Sequence, residues 1–395
     1  MGTCAIVFFA IVACIVFALR RHQEAELRLA AIIDNTHENE YTILDGIQDL
    51  PGTMNLRRQL IDKGLSDLGE VLKEAPDDER ALMDYAQLLR RSAYLHYGRG
   101  RQSLGDSTTA IAQTKQALDQ FQHLALRRTS LVRVLDLAHV HAQLEDLLVY
   151  ARRDFENAHR LAEEEETILQ KVAQLGGNAQ DLAWQRAHLS MRRARYAIEQ
   201  RDWGLASTQA IAAAAQFHAM KLEADAGRYR PDPDFEIYEA ICDTLRATAD
   251  RSLGRYDLAI DDVSAAREAI ERSYEFSPQD SGATVRLLFL RETEAEIYAS
   301  AHQCSAAFAD MPQSLRMVRD VATRDPQSAL GRELLGAVLL AYGAAEAQCG
   351  NLPAGRQLLA EAVEVYRTLV LHDASNAGWR HGLETAQAKA ATPLQ

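Results

Sequence analysis

A small residue recurs at Ala110, Ala158, Ala206, Ala259, Ala307 and Gly355, at successive intervals of 48, 48, 53, 48 and 48 residues. Seven residues after each come Ala117, Glu165, Ala213, Ala266, Ser314 and Ala362, small in five of the six. Twelve residues before the last four stand Ala194, Ala247, Ala295 and Gly343. Fixed columns of this kind over most of a chain mark a repeat architecture. Two helices cross closely only where side chains are small, so the columns call for a stack of equivalent helical hairpins. The one longer interval holds the loop Arg228 to Pro233.

Composition agrees with an all-α chain. Alanine, leucine, glutamate and arginine dominate, while nine prolines and 21 glycines are few for 395 residues. The helix breakers fall between the repeat units, at Pro51-Gly52, Pro76 to Asp78, Gly98 to Gly105, Gly176-Gly177, Pro231 to Pro233, Pro278, Pro326 and Gly350 to Pro353. The pattern predicts about six long hairpins, near 78–124, 128–175, 178–223, 233–275, 281–324 and 328–372. A half repeat at 53–75 precedes them and a capping helix near 376–391 follows. Pro312 falls where helix interior is expected and predicts a kink or a late helix start there.

An aromatic residue shortly before the second helix (Phe155, Trp203, Tyr256) accompanies the small columns, and the combination resembles the tetratricopeptide repeat, at a period of 48 rather than 34. The segment Asp49-Leu50-Pro51-Gly52-Thr53, the helix start Leu56 to Leu60, Tyr85 to Leu88, and Leu104-Gly105-Asp106-Ser107 resemble the C-terminal, repeat-bearing half of bacterial serine/threonine protein kinases. Arg324 to Ser328 running into Arg332 to Leu335 resembles a later repeat junction of that family. The resemblance implies a transmembrane helix ahead of the repeats and an association with a serine/threonine kinase. In that family the kinase domain lies ahead of the span, where this sequence has two residues, and Asp154-Phe155-Glu156 and Asp234-Phe235-Glu236 lack the glycine of the metal-binding motif. The expectation is the sensor or scaffold half, as a split or truncated product or acting beside a separate kinase.

Residues 3–19 are uninterruptedly apolar and end at Arg20-Arg21, which predicts a single membrane-spanning anchor over 1–21. A cleaved signal or a lipoprotein box at Cys14 matches less well, since no basic residue leads the run. The two arginines after the span would keep the bulk in the cytoplasm. The kinase resemblance implies the opposite, extracytoplasmic (periplasmic) side, and that placement is the expectation, with the cytoplasmic one left open. The domain reading is then an anchor at 1–21, a helical linker at 22–52, the repeat domain at 53–391 and a tail at 392–395.

A formal net charge of −13 argues against nucleic acid as a partner. The five cysteines show no metal-ligand spacing, and their odd number makes a poor disulfide framework, so all five read as small packing residues. His139 and His141 form the one close histidine pair but point to different helix faces. No phosphate loop and no nucleophile elbow occurs. The expectation is a non-enzymatic scaffold without cofactor or metal, binding a protein or peptide on the concave face formed by the first helices of the hairpins. Candidate contacts are His188, Met191, Arg195 and Ile198 in the third hairpin, Thr244, Thr248 and Arg251 in the fourth, and Phe289, Glu292 and Glu296 in the fifth. This set carries no ring of lysines and arginines to clamp a carboxylate, which points to a peptide or partner helix rather than an acidic tail.

Overall fold

The computed structural model describes residues 17–391 apart from 18, 19, 22, 25, 48, 49, 51, 99, 128 and 279, and those residues form helices joined by turns and loops, with no strand among them. The helices are α1 (Met54–Glu74), α2 (Glu79–His96), α3 (Ser107–Arg127), α4 (Leu131–Leu147), α5 (Phe155–Gln174), α6 (Ala179–Gln200) and α7 (Trp203–Asp225). They continue as α8 (Asp234–Ser252), α9 (Tyr256–Phe276), α10 (Ser281–Ser300), α11 (Met311–Arg324), α12 (Ala329–Gln348), α13 (Leu352–His372) and α14 (Ala377–Ala391). Each helix packs on its neighbours in the chain, α2 on α3, α4 on α5, and so on to α12 on α13. The late start predicted by Pro312 is seen: a short turn Cys304–Ala307 comes first, and α11 begins at Met311 with the proline in its first turn, where no N–H is needed.

Local chemistry places the helix starts. Asp78, Asn178, Asp280 and Ser328 each accept hydrogen bonds from the first backbone N–H groups of the helix that follows. The tight turns between paired helices follow the same register as the small columns. Gly105, Arg153, Arg201, Gly254, His302 and Gly350 all have positive φ, between 54° and 85°, so one left-handed residue reverses the chain in every repeat. At the crossings Ala110, Ala158, Ala206 and Ala259 are fully buried. At Gly355 a Cβ would lie 2.8 Å from the Ala347 nitrogen and the Gly343 carbonyl, so the last pair touches backbone to backbone.

Two expectations are corrected. The first is the single-pass membrane anchor and the localisation built on it. Among the described residues no helix is long and apolar enough to cross a membrane. Of the expected span, 3–16, 18 and 19 lie outside the described residues; the helix that is described beyond it carries Arg20, Arg21, Glu24, Glu26 and Arg28, too many charges for hydrocarbon. Further along, residues 26–47, in the segment expected as a linker, bury Ile33 and Leu44 against Met54, Ile61 and Leu68 of α1. The second correction concerns the cysteines. Cys304 and Cys349 form a disulfide with Cα atoms 5.8 Å apart, because the register brings the turn after α10 beside the end of α12. Cys242 is a buried free thiol; Cys4 and Cys14 lie outside the described residues.

The array closes on itself. The segment 97–106, between α2 and α3, leaves its own hairpin and crosses to the C-terminal repeats. The Ser103 carbonyl accepts from the Ala329 N–H at the start of α12 (2.8 Å), and the Leu104 carbonyl contacts the His372 ring (2.7 Å). Tyr97 packs edge-on against Trp379 of α14, their ring centres 5.8 Å apart. Asp373 accepts from both the N–H (3.0 Å) and the hydroxyl (2.5 Å) of Ser107. Arg152 donates to Ser107, Thr108 and the Ser375 carbonyl. Finally, α14 seats so tightly on the π-helical turn Leu148–Arg152 that a Cβ at Gly378 would collide with the Tyr150 carbonyl.

Candidate functional site

The first helices α6, α8 and α10 lie side by side and bring the sequence-predicted contact residues into one strip. Much of that strip is spent on packing. Met191 is 3% and Thr244 0% exposed. The His188 ring sits 4.4 Å from Tyr238, 4.6 Å from Trp184 and 5.3 Å from Phe217, centre to centre. Burial, with help from Arg192 and Arg195, pushes its pKa down to about 3, so it is a neutral core ring. Thr244 and Thr248 donate to carbonyls one turn back in their own helix. Ile198 and Phe289 pack against the buried cluster of Met191, Phe217 and Phe235. Arg251 is paired with Glu296 at 2.8 Å, tying α8 to α10, and Glu292, beside them on α10, is half-buried.

Arg195 is the exception. It is half-buried and, among the described residues, has no ion-pair partner. It does not stand alone. The Tyr238 phenol lies in the field of Arg195, of Arg286 from α10 and of Arg101 from the crossing segment. Burial raises the Tyr238 pKa, Asp234 adds to the rise, and the three guanidiniums oppose it. Arg101 stacks on the Tyr94 ring at 4.8 Å, and Arg286 reaches Ser273 (3.2 Å) and Asp280 (3.4 Å). Sequence alignment of first helices finds Arg195 but not Arg286, which is offset on its helix, nor Arg101, which belongs to a loop 94 residues earlier in the chain.

A second polar cluster is buried except for Asp146 at its edge. Arg192 of α6 donates to Glu145 of α4 (3.1 Å) and to Glu165 of α5. The Tyr196 hydroxyl bridges Glu145 and Asp146, both at 3.1 Å. Two carboxyls share one guanidinium here, and burial raises the Glu145 pKa, with Arg192 opposing and Glu165 reinforcing the rise. A proton held on Glu145 toward Glu165 relieves the repulsion that two buried carboxylates would otherwise carry. The cluster joins three helices across two hairpins. Its sequence signal is Glu165 itself, the one large charged residue in a column of small ones.

These crossings and columns define an all-α, tetratricopeptide-like helical-repeat protein. No protein-family model matches the chain, and no curated protein matches it. Among solved structures, apo RapI superposes with a TM-score of 0.47 at 13% identity, covering 79% of this chain and 93% of that one. BtubC from P. vanneervenii gives 0.44 at 17% identity over 66% and 90%, and the P58(IPK) TPR domain 0.21 at 13% over 90% and 98%. All are likenesses of helical architecture at low superposition, and none bears on what this chain binds.

Proposed function

We propose that the chain is a non-enzymatic protein-interaction module whose inner strip, α6 to α10, takes a peptide or partner segment carrying a carboxylate. The observation that supports it is Arg195 of α6, half-buried and without an ion-pair partner among the described residues; the Tyr238 phenol feels its charge together with that of Arg286 and Arg101. A half-buried guanidinium without a counter-ion is costly, and an incoming carboxylate with planar, bidentate geometry satisfies it. Phe289 and Ile198 beside it supply apolar contact. The crossing segment brings Arg101 within electrostatic reach of Tyr238, so closure of the array adds positive charge near this end of the strip. The alternative, a regulatory or ligand-sensing half of a kinase system, rests on the sequence resemblance alone.

Selection from a displayed random-peptide library against the intact protein tests this reading. Enriched peptides should share an acidic residue or a free C-terminus, and Arg195→Gln together with Arg101→Gln should weaken them by roughly tenfold or more at unchanged circular dichroism. Enrichment of peptides without acidic character, or binding indifferent to both substitutions, refutes it.

A further inference from the structure

A separate cavity of about 200 Å³ lies where the crossing segment meets the C-terminal hairpins. Its walls come from Gln102, from the α9–α10 connection (Tyr274, Pro278, Ser281, Thr284), from α11 (Met317, Asp320, Val321, Arg324) and from the start of α12. Two of its polar side chains are more than nine-tenths buried, one a carboxylate with no cation paired to it among the described residues and the other an amide with an unmet acceptor. Asp325 is 7% exposed and, among the described residues, has no cation within ion-pair distance; its Oδ2 accepts one long bond, 3.4 Å, from the Gly52 N–H. Gln102 is 8% exposed, and its amide oxygen is buried without a hydrogen-bond partner. By contrast the neighbouring Asp320 is paired with Arg324.

Buried carboxylates are almost always paired, and a buried acceptor left unmade costs on the order of 1–3 kcal/mol. Here an unpaired carboxylate and an unsatisfied amide line the same space, and both ask for a donor. We infer that this cavity binds a small primary amine, its ammonium held by Asp325 and Gln102 and its apolar body against Met317, Val321 and Leu330. An ammonium offers three donors and a positive charge, which matches a carboxylate beside a neutral amide acceptor, the charges of Asp320 and Arg324 being paired with each other. A metal ion fits less well, since among the described residues no group of three or more His, Cys, Asp or Glu side chains converges. The volume suits a body the size of one ring, because an apolar cavity of about 150 Å³ already admits benzene. The same ammonium chemistry is carried by a free amine and by a lysine side chain of a polypeptide, and the assay separates them. This inference concerns residues distinct from the peptide strip and stands or falls independently of it.

Titration calorimetry on the intact protein with benzylamine, benzyl alcohol, benzoate and N-acetyl-lysine amide tests it. Benzylamine should bind saturably, with benzyl alcohol and benzoate at least roughly tenfold weaker, the worth of one charge-assisted hydrogen bond. Tighter binding of N-acetyl-lysine amide would support the same site with a polypeptide lysine as occupant. Asp325→Asn should lose the amine by a similar factor. Should that variant misfold, Gln102→Leu serves: it removes an unsatisfied buried amide, so thermal stability should hold or rise while amine affinity falls. Absence of amine binding at millimolar concentrations, equal binding of benzyl alcohol, or unchanged affinity in both variants overturns the proposal.

Discussion

Removing the Cys304–Cys349 bond tests the repeat character of the fold most sharply. The bond joins the turn of the α10–α11 hairpin to the end of α12, across a sequence separation of 45. Closing a loop of that length in the unfolded chain is worth about 4 kcal/mol by the chain-entropy argument. Double replacement by alanine removes only two sulfur atoms from a cluster of buried Ala299, Ala307 and Ala345 edged by Tyr298 and Phe308, so little packing is lost. Almost the full effect should therefore act through the unfolded state. In a helical array each hairpin draws its stability from its neighbours, so the loss should appear locally rather than over the whole chain. Native-state hydrogen exchange is the suitable assay. In Cys304→Ala/Cys349→Ala, protection of the α11 and α12 amides should fall by up to about a thousandfold, the equivalent of ~4 kcal/mol, with α6 and α7 little changed. Reductant added to the wild type should reproduce the variant. A loss under tenfold would contradict the bond's role, and an equal loss in every helix would contradict the local reasoning.

Three further outcomes are expected. Gly105→Ala forces a side chain onto a residue at φ +81° and places a Cβ 2.9 Å from both Ala329 and Trp379. It should cost about 2–4 kcal/mol in urea unfolding and enlarge the radius of gyration as closure loosens; unchanged values would show that the crossing segment is not packed there. At Gly350 nothing lies within 4 Å of an added Cβ, so Gly350→Ala should lose about 1 kcal/mol from backbone strain alone, while His302→Gly gains a few tenths; like signs would refute the shared left-handed turn. Glu145→Gln tests the buried acid pair. A carboxyl whose pKa the fold raises keeps its proton after the unfolded chain has released it, so its contribution to stability falls as pH climbs above the ordinary carboxyl range. The variant should flatten the decline of thermal stability from mildly acidic toward alkaline pH. His139 and His188, whose folded pKa values lie near 4 and 3, act oppositely on the acid side of their ordinary range, where stability is lost as pH falls. Parallel wild-type and Glu145→Gln curves would show that Glu145 is ionised in the fold.

The sequence resolved whatever repeats. Small columns at 48 residues, helix breakers and N-cap residues are local signals, and they locate helices and crossings because close helix approach allows few side chains. Even the disulfide had a trace, since Cys304 and Cys349 sit at nearly equivalent places in successive repeats. The left-handed turns were harder to read, because only Gly105, Gly254 and Gly350 advertise them while Arg153, Arg201 and His302 occupy the same conformation. For the candidate site, first-helix alignment found a strip, but most of its members turned out to be packing, as periodicity alone cannot tell an inner wall from an interface between repeats.

What the sequence by itself determined is thus the unit: a helical hairpin with a fixed crossing, repeated, with one charged intruder at Glu165. Only the tertiary structure decided the whole. Ser107 meets Asp373 across 266 residues, and the segment 97–106, which belongs to no column, reaches the far repeats and places Gln102 in the wall of the cavity there. Contacts so distant in sequence leave no periodic mark, because they arise from the accumulated curvature of the stack and not from any one repeat.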